Sequence, residues 1–311
     1  MIKSMKMTAT VLGLAITATA FTCTIDGIGN GGFLPENNFY IPANQKSMTG
    51  ISEEEFNQAI DEVEAIYQPI ISNMGAKLNI ERNWTDGTVN AYASQSGKAW
   101  KVAMFGGLAR HETITRDAMA LVVCHEIGHH IGGAPRKGQS TSGGGWWGGN
   151  GGGAVSWASN EGQADYFATT KCLRKAWLND NNQAIVRKMN KSAGIPKMVT
   201  ELCNKTYKYN KEERALCIRT SMAGKSVADL FAALGKLPEP KFDTPDTKIV
   251  TKTDDNHPKA QCRLDTYYQG SVCDVSMNED VSSTDEVKGT CHPSLGHKIG
   301  TRPLCWFKPS K

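Results

Sequence analysis

This chain of 311 residues lacks a strong net charge: 35 Lys and Arg against 31 Asp and Glu leave a formal charge of only +4. The basic residues form no concentrated patch, so the sequence does not favour nucleic-acid binding. Beyond the N-terminus the sequence also has no apolar run long enough to cross a bilayer. We therefore expect a monomer without a nucleic-acid partner and without a transmembrane span in its mature form.

The N-terminus has the composition of a secretory signal peptide. Lys3 and Lys6 precede an uncharged, apolar segment at 8–22, and Ala18-Thr19-Ala20 forms an A-x-A cleavage site. Cleavage there would begin the mature chain at Phe21. The alternative is a lipoprotein acylated at Cys23, although Phe21 and Thr22 are poor lipobox residues because small side chains are wanted there. We predict a signal peptide at 1–22 and a bacterial protein that is periplasmic, envelope-attached or secreted.

Nine cysteines in an exported protein predict disulfide bonds. If Cys23 is lipidated, an even number remains, which favours the lipoprotein alternative. We expect Cys203 to pair with Cys217 across a helical hairpin. Cys124 and Cys172 either staple two helices together, or Cys124 is a buried core thiol. The last fifty residues hold four cysteines, whose pairing the sequence leaves open among three connectivities.

Patterning predicts an α+β fold. Residues 23–50 are irregular and 51–236 form the main domain. Within it, Ser52 caps a helix that ends at Pro69. Alternating residues predict strands around 78–80, 89–93 and 100–104, which we expect to form a small, mostly antiparallel sheet. Further helices are predicted at 117–131, from about 156 to 177, and at 183–192, 196–206, 210–223 and 226–235. A Pro-rich linker at 237–261 leads to a Cys-rich, disulfide-stapled extension at 262–311 with little helical periodicity.

The residues with the clearest chemistry lie in the predicted helix at 117–131, which contains His125-Glu126-Ile127-Gly128-His129. Residues four apart on a helix are separated by about 40° and roughly 6 Å along the axis. His125 and His129 can therefore face one zinc ion, and Glu126 can reach a water beside it. Downstream, Glu161 can complete the ligand set, and Asp165, one turn later, can hold one of the histidines.

These motifs resemble those of the gluzincins, zinc peptidases with H-E-x-x-H and a glutamate on a following helix. The sequence is most similar to the CAAX-type endopeptidase family and its soluble bacterial relatives. Within 52–180, the similarity includes Val89-Asn90-Ala91-Tyr92-Ala93, Gly107-Leu108 and Glu161-Gly162-Gln163-Ala164-Asp165. The chain departs from that family in its glycine-rich segment between the two motifs and in lacking the membrane helices.

The resemblance implies a gluzincin-like zincin fold and one Zn²⁺ per chain. It places the metal on His125, His129 and Glu161, makes Glu126 the general base, and has Asp165 accept a hydrogen bond from His125. It also implies that a polypeptide substrate docks by backbone pairing along Asn90-Ala91-Tyr92. The expected activity is that of an exported zinc metalloendopeptidase.

Several alternatives stay open. The chain would otherwise be a non-catalytic secreted or surface binding protein with a structural or degenerate metal site, or a zinc hydrolase of another amide. The loop at 143–153 is either a lid whose Trp146 and Trp147 contact substrate, or a linker. A second donor to the oxyanion is expected, with Tyr166, His130 and His111 as weak candidates. By contrast, we interpret the three histidines of the tail as surface residues: His257, His292 and His297.

Overall fold

A computed structural model describes residues 32–44, 50–138 and 156–310 of the chain. The signal peptide, Cys23, Trp146 and Trp147 lie outside the described residues, so the predictions made for them stay predictions. The described residues form an α+β structure, as the sequence predicted, in which a small sheet precedes a largely helical second half. Within this part of the chain, no helix is both long and apolar enough to cross a membrane.

The first elements are a helix and three strands. Helix α1, Glu53–Asn73, begins at a capping box in which Ser52 and Glu55 bond each other's backbone, and it continues four residues beyond Pro69. The strands are β1, Lys77–Asn83; β2, Ala91–Ser96; and β3, Ala99–Phe105. Their order in the sheet is β1-β3-β2.

The prediction of a mostly antiparallel sheet was wrong, because this sheet is mixed. A tight turn at Gly97, which has a φ of 56°, makes β2 and β3 antiparallel. On the other side of β3, β1 pairs in the parallel direction, with Lys77 opposite Ala99. Alternation of apolar residues identifies a strand and its buried face, but it does not specify the partner strand or its direction.

The remaining helices include α3, which carries the H-E-x-x-H motif. A short helix, α2, Gly106–Ala109, leads to α3, Arg116–Ile131. Helix α4, Glu161–Phe167, continues through a π-helical turn at Ala168–Cys172 into α5, Leu173–Ala176. The later helices are α6, Asn182–Ser192; α7, Lys197–Thr206; α8, Lys211–Gly235; and α9, Ala260–Ser271. A single 3₁₀ turn, Pro293–Leu295, follows near the end.

Two predictions about these helices were wrong. The separate helices expected at 210–223 and 226–235 are one continuous helix, α8, since Gly224 lies inside it against Tyr267 rather than at a break. The tail was expected to have little helical structure, yet α9 begins there. The division into a main domain and an extension stays a prediction, but Ala260 and Tyr267 of α9 belong to the same core cluster as α1 and α3.

Four disulfides connect the described elements. The predicted Cys203–Cys217 bond is present, which confirms that pairing. Of the two alternatives for Cys124, the structure has the disulfide with Cys172, which joins α3 to the helix that follows α4. In the tail, the connectivity is Cys262–Cys305 and Cys273–Cys291. The first of these bonds lies directly beside Arg263, which reaches the site described next.

Candidate metal centre

Helix α3 places His125, Glu126 and His129 in the interior of the protein. Its N-terminus is capped by Thr115, whose Oγ1 accepts a hydrogen bond from the Ala118 amide at 3.2 Å. All three side chains are buried. Gly128 lets α4 approach closely, because a Cβ at that position would lie 3.1 Å from the Cα of Ala164. A side chain at this position would therefore require α3 and α4 to move apart by a few tenths of an ångström.

Helix α4 begins with the third candidate ligand. Asn160 caps this helix by accepting a hydrogen bond from the Gln163 amide at 2.9 Å, which makes Glu161 the first helical residue. The preceding residue, Ser159, accepts a hydrogen bond through its carbonyl from Nδ1 of His129 at 2.8 Å. The start of α4 is thereby fixed against the C-terminal part of α3.

The candidate ligand atoms converge at distances that suit a tetrahedral metal. Nε2 of His125 is 3.3 Å from Oε2 of Glu161, and Nε2 of His129 is 3.6 Å from Oε1. The ligand atoms of these residues all lie within 4.8 Å of one another. Metal–ligand bonds of about 2.0–2.1 Å in a tetrahedron separate the ligand atoms by roughly 3.3 Å. The arrangement fits one small divalent cation.

Several polar atoms at this point have no hydrogen-bond partner although they are buried. They are Nε2 of His125 and both carboxylate oxygens of Glu126 and Glu161. Lys137 lies near, with Nζ 3.0 Å from Oε1 of Glu161, which is an ion-pair distance. Because unsatisfied buried polar atoms are costly, such a convergent set is typical of a site built for a cation.

Both histidines donate through Nδ1 to fixed acceptors. Nδ1 of His125 lies 2.7 Å from Oδ1 of Asp165, and the carbonyl of Ser159 holds His129 in the same way. Placing the proton on Nδ1 leaves the Nε2 lone pair directed toward Glu161. The contact predicted between Asp165 and His125 is present, while its role in holding a metal ligand stays a prediction.

The tail of the chain holds Asp165 in turn. Arg263, on α9, donates from Nη2 to Oδ1 of Asp165 at 2.6 Å, and Tyr267, one turn later, donates from its hydroxyl at 2.7 Å. Neither Arg263 nor Asp165 is exposed to solvent. Sequence reasoning missed both α9 residues. The available signal was their spacing of four, which puts them on one face of a helix that follows Pro258.

Burial and neighbouring charges shift the pKa values of the site in opposite directions. Burial raises the pKa of Glu126 to about 7, although His125 opposes the rise. Burial would also raise the pKa of Glu161, but His257 and Lys137 hold it well below its usual range. The two carboxylates of the site therefore differ: the low pKa of Glu161 favours its ionised form, whereas the pKa of Glu126 lies near neutral pH.

His257 was expected on the surface, and that expectation was wrong. Its side chain is only 9% exposed, and its Nε2 lies 3.4 Å from Oε2 of Glu161. The same Nε2 donates a hydrogen bond to the carbonyl oxygen of Gly32 at 2.7 Å. His292 is likewise buried, although it lies elsewhere, and His297 is half-buried. The error arose because the spacing of a lone histidine carries no information about distant contacts.

The three residues considered as oxyanion donors have other partners. Tyr166 donates to the carbonyl of Gly300 at 2.6 Å. His130 is stacked on Trp100, with ring centroids 5.1 Å apart, and on Trp157. His111 lies beside Thr113 in the turn before α3. Among the histidines outside the H-E-x-x-H motif, His257 is the one that approaches Glu161 in the part of the chain that the structure describes.

The predicted docking strand is next to the metal centre. Asn90 and Ala91 are buried, whereas Tyr92 is half-buried and its hydroxyl accepts a hydrogen bond from Nδ2 of Asn90 at 3.2 Å. Strand β2 is an edge strand of the described sheet, and at this edge the carbonyl of Ala91 accepts a hydrogen bond from the Phe33 amide at 2.8 Å.

Comparisons with known protein families, with curated proteins and with solved structures found no match to this chain.

Proposed function

We propose that this chain is an exported, zinc-dependent metalloendopeptidase of the gluzincin type. One observation carries the proposal. The ligand atoms of His125, His129 and Glu161 converge in the interior, and the Glu126 carboxylate is buried on the same helix with both oxygens unpaired. A structural metal needs the ligands alone, whereas a hydrolytic site also needs a base.

Zinc is the metal that fits these donors. Two imidazole nitrogens and one carboxylate oxygen make a three-ligand set that leaves one position of a tetrahedron open. Zinc bound there would polarise a peptide carbonyl and lower the pKa of a bound water to about 7.

Glu126 and His257 supply the remaining chemistry from the chain itself. Glu126 takes a proton from the attacking water and delivers it to the departing amine nitrogen, for which its pKa of about 7 is suitable. His257 already donates a hydrogen bond to a peptide carbonyl oxygen at 2.7 Å. The same bond would stabilise the negative charge that develops on such an oxygen during hydrolysis.

Two features support a polypeptide substrate outside the cytoplasm. Asn90 and Ala91 already bond the backbone of Phe33 and Leu34 at the edge of the sheet, and the same groups suit the backbone of a peptide substrate. The four disulfides suit an oxidising compartment, in agreement with the A-x-A site predicted at 18–20. We infer that the protein acts in the bacterial envelope or outside the cell.

The first test is the metal content of the purified protein. We expect about one zinc per chain in the wild type and none in His129→Ala, because two ligands bind zinc far more weakly than three. Wild-type protein that contains no zinc after exposure to it would exclude the proposed function.

The second test separates an enzyme from a binding protein. Glu126→Gln should keep its zinc and lose digestion of casein, an unstructured substrate. Glu112→Gln, a change at an exposed glutamate near the start of α3, should keep both. Zinc-loaded wild type that digests neither casein nor peptide libraries would favour the non-catalytic alternative.

A further inference from the structure

The segment Gly32–Leu34 lies beside the metal centre, where its backbone bonds to the edge of the sheet and to α9. The Phe33 amide donates to the carbonyl of Ala91 at 2.8 Å, and the Phe33 carbonyl accepts a hydrogen bond from Nη1 of Arg263 at 2.9 Å. Next to it, the Leu34 amide donates to Oδ1 of Asn90 at 2.8 Å, and the Leu34 carbonyl accepts from Nδ2 of the same side chain at 3.3 Å. The amide and carbonyl groups of Phe33 and Leu34 are thus bonded by three residues. Ala91 bonds them through its carbonyl, and Asn90 and Arg263 bond them through their side chains.

The peptide bond before Phe33 has neighbours that belong to the candidate metal centre. The Gly32 carbonyl accepts a hydrogen bond at 2.7 Å from Nε2 of His257, the atom that lies 3.4 Å from Glu161. On the other side of this bond, the Phe33 ring packs edge-on against the ring of His125, with centroids 4.9 Å apart. The Gly32–Phe33 bond therefore lies between a hydrogen-bond donor and a candidate metal ligand.

The space around the Gly32–Phe33 bond restricts which side chains fit at its two positions. A Cβ at position 32 would lie 2.0 Å from the Ala91 carbonyl oxygen and 2.3 Å from the Tyr92 ring, so only glycine fits without movement. Phe33 is fully buried; its ring lies 5.3 Å from that of Phe231, and the Arg263 guanidinium stacks on it at 4.6 Å. The neighbouring Leu34 is buried as well.

The chain downstream of this segment is anchored beside the same strand. The Ile41 amide donates to the carbonyl of Gly87 at 2.7 Å, and the Val89 amide donates to the carbonyl of Phe39 at 3.2 Å. Residues 39–41 consequently run antiparallel to 87–89, around the bridge between Tyr40 and Thr88. Because the covalent connection holds the segment in place, reaction at Gly32 would be intramolecular.

We propose that the protein is its own first substrate and hydrolyses the Gly32–Phe33 peptide bond in cis. The oxygen of water bonds to the Gly32 carbonyl carbon, and the bond from that carbon to the Phe33 nitrogen breaks. Glu126 carries a proton from the water to this nitrogen, so that the products are a Gly32 carboxyl group and a Phe33 amino terminus. This inference rests on the proposed peptidase function, and water is its only co-reactant.

The same contacts define the substrate class for cleavage in trans. A substrate that binds in place of Gly32–Leu34 would be a polypeptide segment with glycine before the cleaved bond. It would have a large apolar residue at the Phe33 position and another apolar residue at the Leu34 position. Asn90, Ala91 and Arg263 form hydrogen bonds only with backbone atoms of the bound segment. These bonds would therefore be kept for any such peptide.

N-terminal sequencing and intact mass of the exported protein test the proposal. Wild type and the Glu112→Gln control should begin at Phe33, and Glu126→Gln should keep the residues that precede it. Mixing zinc-loaded wild type with an equal amount of Glu126→Gln should leave the variant uncut, because cleavage is in cis. Identical N-termini in wild type and Glu126→Gln would overturn the proposal, as would cleavage of the variant in the mixture.

Casein digestion and zinc content, measured on the same samples, keep the two proposals distinguishable. Absence of zinc or of casein digestion contradicts the peptidase function itself. Wild type that digests casein yet retains the residues before Phe33 contradicts self-processing alone. Gly32→Val should bind one zinc per chain and show processing at least about tenfold slower, since its side chain collides with the Ala91 carbonyl. Processing of Gly32→Val at the wild-type rate would contradict the assignment of cleavage to the Gly32–Phe33 bond.

A readout that does not depend on activity is hydrogen exchange in metal-free Glu126→Gln. The Phe33 and Leu34 amides should be protected, and Asn90→Ala should lose the protection of Leu34 because it removes the acceptor. Rapid exchange of both amides in Glu126→Gln would show that the segment does not occupy the site.

Discussion

Arg263 and Asp165 form a buried ion pair, with Nη2 of the guanidinium 2.6 Å from Oδ1 of the carboxylate and neither side chain exposed. The same oxygen accepts a hydrogen bond from Nδ1 of His125 at 2.7 Å. A residue of the tail therefore orients a candidate metal ligand through one carboxylate. The tail takes part in the construction of the site, whatever its other roles.

Arg263→Lys should weaken zinc binding about 10- to 100-fold, the usual effect of changing a residue that orients a ligand. Lysine keeps the charge but cannot bond both Asp165 and the Phe33 carbonyl, as the arginine fork does. Competition with a chelator measures the change. Arg219→Lys is the matched control, because it breaks another buried arginine pair, with Asp117 at the start of α3. Equal zinc affinity in the two variants would contradict the expectation.

His257→Ala should lower kcat for peptide hydrolysis by about 100- to 1000-fold, the effect of removing one oxyanion donor. KM and the zinc content should change little, since His257 is not part of the converging ligand group. Steady-state kinetics and metal analysis on the same preparation test this. His297→Ala, at a half-buried histidine near Asp274, is the control. Loss of zinc from His257→Ala would instead make His257 a ligand.

Removal of two different disulfides should have different effects on the site. Replacing Cys262 and Cys305 with serine should lower the free energy of unfolding by about 4 kcal/mol, and replacing Cys203 and Cys217 by about 3 kcal/mol, from the loop lengths of 43 and 14 residues. Only the first pair adjoins Arg263, so only its removal should also weaken zinc binding. Denaturant unfolding and chelator competition measure the two quantities. Equal zinc affinity in both double variants would refute the coupling.

Asp265 should make stability depend on pH. Burial raises its pKa to about 6. A carboxyl whose pKa is raised by folding stabilises the protein while it is protonated. Its contribution is complete below the ordinary value of about 4 and is lost as the pH rises through 6.

The free energy of unfolding of the wild type should therefore fall by on the order of 1–2 kcal/mol between about pH 4 and 7, a value reduced for the partial exposure of the group. Asp265→Asn should lack this fall. Urea unfolding of both proteins at several pH values checks this. Parallel stability curves for the variant and the wild type would argue against the raised pKa.

Sequence patterns were sufficient for the features that depend on near neighbours. The spacing of His125 and His129 follows from helix geometry, and Ser52 caps α1 because of the residues that directly follow it. The pairing of Cys203 with Cys217 was accessible for the same reason, since only a short hairpin separates them. In each case the interacting groups lie within one or two elements of each other.

Tertiary structure decided the contacts between segments far apart in the chain. The direction of β1, the helix α9 in the tail and the burial of His257 all depend on what packs against them, and local periodicity contains no record of that. The sequence by itself predicted the side chains that form the candidate metal centre: His125, His129 and Glu161. The fold alone brought Arg263 and His257 to them and laid Gly32–Phe33 beside the centre, because packing joins residues that the chain keeps apart.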